Sequence, residues 1–406
     1  MPDSVESADD TQRSSGHPLP DSASAPRVMT VCLIAQIASV MPVFLLGAFA
    51  PLMTDDLGLT PFMLGIAVAA FYGAAAVGAL FLAPFADTAG VWRVTNLSLA
   101  VVALCGILMA LIADSFEMVV ALIVLGGLMN GSIQPATNVI VSRFIPTKRQ
   151  GLAYGLKQAA IPLSTMLGGI AVPVIGLSVG WRWAFMLSVV TALAVLLMTP
   201  KGREPRTKTG NVGRQRLPGR ILLILALMMG LAAAVSNAMA AFLALAITEQ
   251  DHSASDAGLV IAAGSLFCVA VRVGLGGLVD RWNLPLMWVV AALLMVGTGS
   301  YLGLAYWQTL PLLTFSALLA FGFGWGWSGL VLLAIGRASI GSVGASTGMT
   351  HAGVFTGGVV GPMAFGWVVQ EHGFLLAWQG LAVASTCAAG LAIWMSTLLN
   401  RVSESR

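Results

Sequence analysis

Arg272 stands in the middle of GSLFCVAVRVGLGGLVDR, residues 264–281, a run otherwise made of apolar and small residues up to its closing Asp280-Arg281 pair. Its guanidinium stays charged and offers a planar fork of donors that matches a carboxylate. If the run is a helix, Arg272 lies roughly 12 Å from Asp280-Arg281, near the centre of an apolar layer ~30 Å thick. An arginine at that depth costs about 2.5–3.5 kcal/mol and faces a bundle interior or an aqueous cavity. Two readings follow: Arg272 caps backbone carbonyls and braces neighbouring helices, or it binds an anion.

Lys157 is a second cation of this kind, seven residues beyond Gln150 and so about 10 Å into the next apolar run. Every Asp and Glu falls in a tail, a loop or a predicted helix end, which leaves neither cation an evident carboxylate partner. Asn130, Gln134 and Asn138 recur at a spacing of four and share one helix face, either lining a pore or serving as packing glue. Gln36, Gln158 beside Lys157, and Asn237 are further polar residues at membrane depth. Tyr72, Tyr154, Trp325 and Trp327 are candidates for an aromatic wall, and the glycines around the two tryptophans equally suit close helix packing. His351 is the one histidine expected inside the membrane. It is either a hydrogen-bonding packing residue or a proton carrier.

Elements able to bury such groups are plentiful, since 58% of the 406 residues are hydrophobic, only 9% are charged, and the mean hydropathy is +0.90. That composition lies outside the soluble globular range and predicts an all-α, multi-pass membrane protein. Hydropathy predicts twelve spans: 28–52, 61–84, 92–113, 117–142, 151–175, 180–199, 220–247, 256–279, 285–306, 309–335, 344–370 and 374–398. Residues 1–27 are Ser-, Asp- and Pro-rich without the apolar core of a signal peptide, and read as a disordered tail; 399–406 form a second tail. Arg93, Arg143, Lys148, Arg149, Arg281, Arg337 and the 200–219 segment lie on one set of alternating sides, against Arg182 alone on the other. This places both termini in the cytoplasm of a cell-membrane protein. KGREPRTKTGNVGRQRLPGR, residues 200–219, reads as a basic linker between halves 28–199 and 220–398. The +3 net charge sits in short loops and argues against a nucleic-acid partner. Cys32, Cys105, Cys268 and Cys387 have no metal-ligand spacing, and no nucleophile or phosphate cradle suggests an enzyme or a cofactor.

The halves repeat. A constant shift of 193 residues carries Asp87 onto Asp280, residues 154–159 onto 347–352, and Gly180–Phe185 onto Gly373–Trp378. Parallel repeats of this kind place a substrate site near the midplane between them. The second copy of one loop reads Gly276-Gly277-Leu278-Val279-Asp280-Arg281, and here the chain resembles the G-x-L-x-D-R signature of the major facilitator superfamily. The first copy is degenerate at Ala83, Phe85 and Thr88 but keeps Asp87, Gly90 and Arg93. The resemblance covers residues 28–398 and implies twelve helices in two pseudo-symmetric six-helix halves that work by alternating access. It implies gating roles for Asp87, Asp280, Arg281 and Arg93, which are otherwise ordinary helix-end charges.

Within the superfamily, a basic residue in the eighth helix resembles the monocarboxylate and oxalate-formate exchanger branches. The expectation is a monomeric secondary transporter for a small organic anion, coupled to protons or to exchange. Substrate contacts are expected from Arg272, Lys157, Asn130, Gln134, Gln158, His351, Tyr72 and Trp325, with His351 the candidate proton carrier. The alternative is efflux of neutral or anionic amphipathic drugs.

Overall fold

The computed structural model describes residues 25–145, 155–199, 218–282, 284–338 and 343–404. The 200–217 part of the linker, most of the N-terminal tail and Tyr154 lie outside the described residues. Among those described, eleven helices are long and apolar enough to cross a membrane: α1 (Pro26–Ala48), α2 (Pro61–Phe81), α3 (Val91–Ile112), α4 (Phe116–Val141), α5 (Gly155–Val179), α6 (Trp181–Met198), α7 (Gly219–Thr248), α8 (Ala254–Val279), α9 (Leu286–Tyr306), α10 (Leu310–Ile335) and Thr350–Leu398. The last is two spans, because Gly373 breaks it with φ 81° and ψ 173°. They are α11 (350–372) and α12 (374–398), which completes the twelve-helix fold.

Local chemistry marks the boundaries. Thr60 caps α2 by accepting from the Met63 N–H at 3.2 Å, with Pro61 in the first turn. Ser253 and Asp256 exchange side-chain and backbone bonds as a capping box at the start of α8. The first span is shorter than hydropathy suggests: α1 stops at Ala48, and residues 50–57 form a separate short helix closed by Gly58 at φ 62°. In contrast, α5 continues four residues past the predicted end through a π-helical turn at Val172–Gly176. Pro173 sits in that turn, where the regular ladder is already interrupted.

The halves meet along three helix pairs: α1 with α7, α2 with α11, and α5 with α8. Backbones touch in these seams. A Cβ on Gly65 of α2 would fall 2.5 Å from Pro362 O in α11, and one on Gly258 of α8 would fall 2.6 Å from Gly169 O in α5. Shifting Gly65 and Gly169 by the repeat length gives Gly258 and Pro362, so the two seams are copies related by the pseudo-two-fold axis. The third pair lies across the axis, with Gly47 against the Ala241 backbone. Gly180 and Gly373, also one repeat apart, both adopt positive φ, 101° and 81°. All these approaches lie toward the end of the bundle opposite the termini. At the other end of the α5–α8 pair, Gly155, Gly274, Gly276 and Gly277 have open space beside them.

The closed end also carries the ion pair that balances Arg182. Its Nη1 donates to Asp56 Oδ2 at 2.6 Å and its Nε to Ala113 O at 2.6 Å, while Trp181 Nε1 donates to the same Asp56 oxygen at 2.9 Å. The Trp181 hydrogen bond, together with the Arg182 guanidinium, holds the Asp56 carboxyl below its ordinary pKa.

Candidate functional site at the seam between the halves

Helix α5 sets the site's position because Pro162 has no backbone N–H. The Gln158 carbonyl, four residues earlier, therefore lacks its usual helical donor. Arg272 reaches across from α8 and supplies one: its Nη1 donates to Gln158 O at 2.6 Å, and its Nη2 donates to Trp325 O at 2.7 Å. Trp325 follows the π-helical turn Ala320–Gly324 of α10, another interrupted stretch of ladder. The one guanidinium thus ties the halves together through two backbone carbonyls exposed by breaks in their helices.

Lys157 lies on the adjoining residue of the same turn. It is buried, and its Nζ donates to Gln134 O at 2.9 Å and Asn138 Oδ1 at 2.5 Å, both on α4. Among the described residues neither cation is paired with a carboxylate. Carbonyl and amide oxygens take Lys157 Nζ and the two terminal nitrogens of Arg272 without supplying a countercharge, and Arg272 Nε is buried with no partner among those residues, so two basic groups flank one turn of α5.

The amide row of α4 is divided between two neighbours. Asn130, which is buried, faces α1, where Ser39 Oγ donates to its Oδ1 at 3.0 Å and Gln36 Nε2 approaches at 3.5 Å. Asn138 and the Gln134 carbonyl face Lys157 instead. A single pore-lining stripe is thus not what the helix packing yields, because the row winds from one neighbour to the next. The Gln134, Gln158 and His351 side chains are half-buried.

Above the cations, toward the closed end, an aromatic layer spans the seam. Trp325 is buried and packs edge-on against Phe44 of α1, with ring centroids 5.6 Å apart, and in a tilted arrangement against Phe321 at 5.8 Å. Tyr72 of α2 donates to Asn237 Oδ1 of α7 at 2.5 Å and lays its ring over Gly358 of α11. Val43, Phe44, Val68, Tyr72, Asn237 and Ala241 line the narrow cleft beside it. Trp327 is also buried, with its Nε1 directed to Ser236 Oγ at 3.4 Å. Phe44 and Pro162 escaped the sequence reading. Pro162 left a usable signal, a proline four residues after a polar position beside a buried lysine, whereas Phe44 left none among so many apolar neighbours.

The four gating candidates lie away from this cluster. Asp87 is on a short helix, Phe85–Ala89, and Asp280 near the end of the helix Ala254–Trp282; both side chains lie outside the described set. Arg93 and Arg281 are exposed.

Two six-helix halves that meet on a pseudo-two-fold axis, with cations and an aromatic layer on the seam, define a class of multi-pass membrane protein. The sequence profile of the Major Facilitator Superfamily matches residues 32–350, and the chain belongs to that superfamily. It is 28% identical over 274 residues to a chloramphenicol resistance protein of Streptomyces lividans, covering 63% of this chain and 67% of that one. It is 23% identical over 169 residues to a gallate transporter of Pseudomonas putida, covering 42% of this chain and 37% of the relative. The quinolone resistance protein NorB of Staphylococcus aureus is 28% identical over 206 residues, covering 50% and 42%.

Proposed function

We propose that this protein moves a small organic carboxylate across the membrane by alternating access, with Arg272 and Lys157 as its cationic contacts. The observation that carries the reading is the pair of cations that flank one turn of α5, Lys157 on that helix and buried, Arg272 reaching from α8 and half-buried, with only neutral partners among the described residues. An anion there removes an electrostatic cost that carbonyls leave in place. Binding also offsets part of the positive charge on the seam, which eases the rocking of the halves. In this reading the tight contacts at one end and the open space beside Gly155, Gly274, Gly276 and Gly277 at the other are one of the two alternating states.

The chain then divides into a tail at 1–27, halves at 28–199 and 220–398, a basic linker at 200–219 and a tail at 399–406. Termini and linker lie in the cytoplasm, the protein works as a monomer in the cell membrane, and Asp87, Asp280, Arg281 and Arg93 act at the cytoplasmic gate. Gln134, Gln158, Asn130, Tyr72 and Trp325 complete the anion's surroundings. His351 is the candidate for carrying a coupling proton. The gallate transporter, which takes a carboxylate, agrees with this reading.

The chloramphenicol and quinolone resistance relatives, together with the Phe44–Trp325–Phe321 layer, favour a second reading, efflux of neutral or anionic amphipathic compounds. Thermal-shift measurements on the purified protein separate the two, because a ligand of the folded state raises apparent stability by mass action. Gallate and other aromatic or short-chain carboxylates are expected to raise the transition temperature, and Arg272→Gln is expected to abolish that shift. Stabilisation by chloramphenicol alone, unaffected by Arg272→Gln, would replace the first reading with the second.

A further inference from the structure

We propose that Pro162 is a positioning residue for Arg272, and that the carbonyl it leaves free is a built-in stand-in for one oxygen of the substrate. The inference rests on the reading of Arg272 as the substrate cation. Three observations meet in it. Pro162 offers Gln158 O no N–H, and Arg272 Nη1 takes that oxygen at 2.6 Å. Arg272 Nη2 takes a second carbonyl, Trp325 O, at 2.7 Å, so two oxygens from opposite halves engage the fork as the two oxygens of a carboxylate would. The third observation comes from the repeat. One repeat length from Pro162, Gln158 and Arg272 stand Phe355, His351 and Ala79. The α2–α11 seam therefore has neither the proline nor the arginine, and the arrangement belongs to one seam of the pair.

The physical consequence is a competition. The half-buried guanidinium is oriented by two neutral acceptors, Gln158 O on Nη1 and Trp325 O on Nη2, while its Nε is buried without a partner among the described residues. A carboxylate brings two anionic oxygens to the same donors and displaces the Gln158 carbonyl. That carbonyl then has no helical N–H to return to, because residue 162 is proline. Restoring the N–H removes the stand-in: in Pro162→Ala, Gln158 O bonds within α5 and Arg272 loses one of its two holds.

The test reads the guanidinium directly, with no substrate present. Phenylglyoxal modification of arginines in the purified, unliganded full-length protein is followed by mass spectrometry. Pro162→Ala is expected to speed modification of Arg272 about tenfold, the change that losing roughly 1.4 kcal/mol of hydrogen bonding gives. The rates at exposed Arg281 and at Arg182, tied to Asp56, are expected to stay as in the parent. Should Pro162→Ala fold poorly, Pro162→Ser serves, since its N–H and hydroxyl both reach Gln158 O. An unchanged Arg272 rate overturns the proposal, and so does a parallel rise at Arg182, which signals general loosening. Absence of carboxylate binding is read separately, in the thermal shifts of the parent protein. Where gallate binds, Pro162→Ala is expected to bind it more tightly, a gain that structural damage does not produce.

Discussion

Closure of the end opposite the termini depends on glycine at two equivalent positions, which makes Gly258→Ala and Gly65→Ala a matched pair of perturbations. The added Cβ on Gly258 would lie 2.6 Å from Gly169 O and 2.8 Å from Val172 Cβ, and that on Gly65 would lie 2.5 Å from Pro362 O. Two of these three neighbours are backbone oxygens, which cannot step aside as a flexible side chain does. Overpacking of this kind costs about 1–3 kcal/mol. In a state where the same seams have parted, the methyl groups meet nothing and the cost vanishes. The penalty therefore falls on the closed state alone, and the equilibrium moves toward opening by roughly five- to 150-fold. The assay is labelling of Ala241→Cys, on a background lacking the four native cysteines, by an impermeant maleimide in intact cells. Ala241 is buried against Gly47 in the α1–α7 seam. Both glycine variants are expected to speed labelling, and by similar factors because they occupy copies of one contact. Gly274→Ala, beside open space, is expected to leave the rate unchanged. Well-folded Gly258→Ala protein labelled no faster than the parent would refute the reasoning.

Asp56→Asn removes the Arg182 ion pair, which is partly exposed and so contributes at most about 1 kcal/mol. The Asp56 carboxyl, lowered by the Trp181 N–H and by Arg182, stabilises the fold above the ordinary carboxylate pKa and loses that contribution as pH falls through its lower folded-state value. Melting curves across acid pH should therefore show the parent losing its advantage over Asp56→Asn below about pH 4. Arg272→Lys keeps the charge but lacks the fork that holds Gln158 O and Trp325 O together, so carboxylate binding should fall markedly, and Arg272→Gln should fall at least as far; full transport by folded Arg272→Gln removes Arg272 from the site. His351→Gln is expected to preserve anion binding and counterflow in proteoliposomes while losing accumulation driven by a pH gradient, and gradient-driven accumulation equal to the parent's would exclude His351 as the proton carrier.

The twelve spans, the duplication and the depth of Arg272 and Lys157 were legible in the sequence, because each depends on local composition or on spacing along the chain. A 193-residue register read from Asp87 and Asp280 also relates Gly65 to Gly258 and Gly180 to Gly373, whose shared backbone geometry appears only in three dimensions. The partners of the polar groups were not legible. Arg272 had two open readings, and the structure gives it the carbonyls of Gln158 and Trp325; Asn130 turned to α1 while Asn138 turned to Lys157; Tyr72 found Asn237 in the opposite half. The physical reason is that these helices are apolar around most of their circumference. In a soluble protein an apolar stripe fixes which face turns inward, but a helix surrounded by lipid and by other apolar helices carries little such periodicity. Depth follows from counting residues along one helix, whereas rotation about its axis is decided by the fit of glycines, prolines and aromatic rings against helices that are distant in sequence.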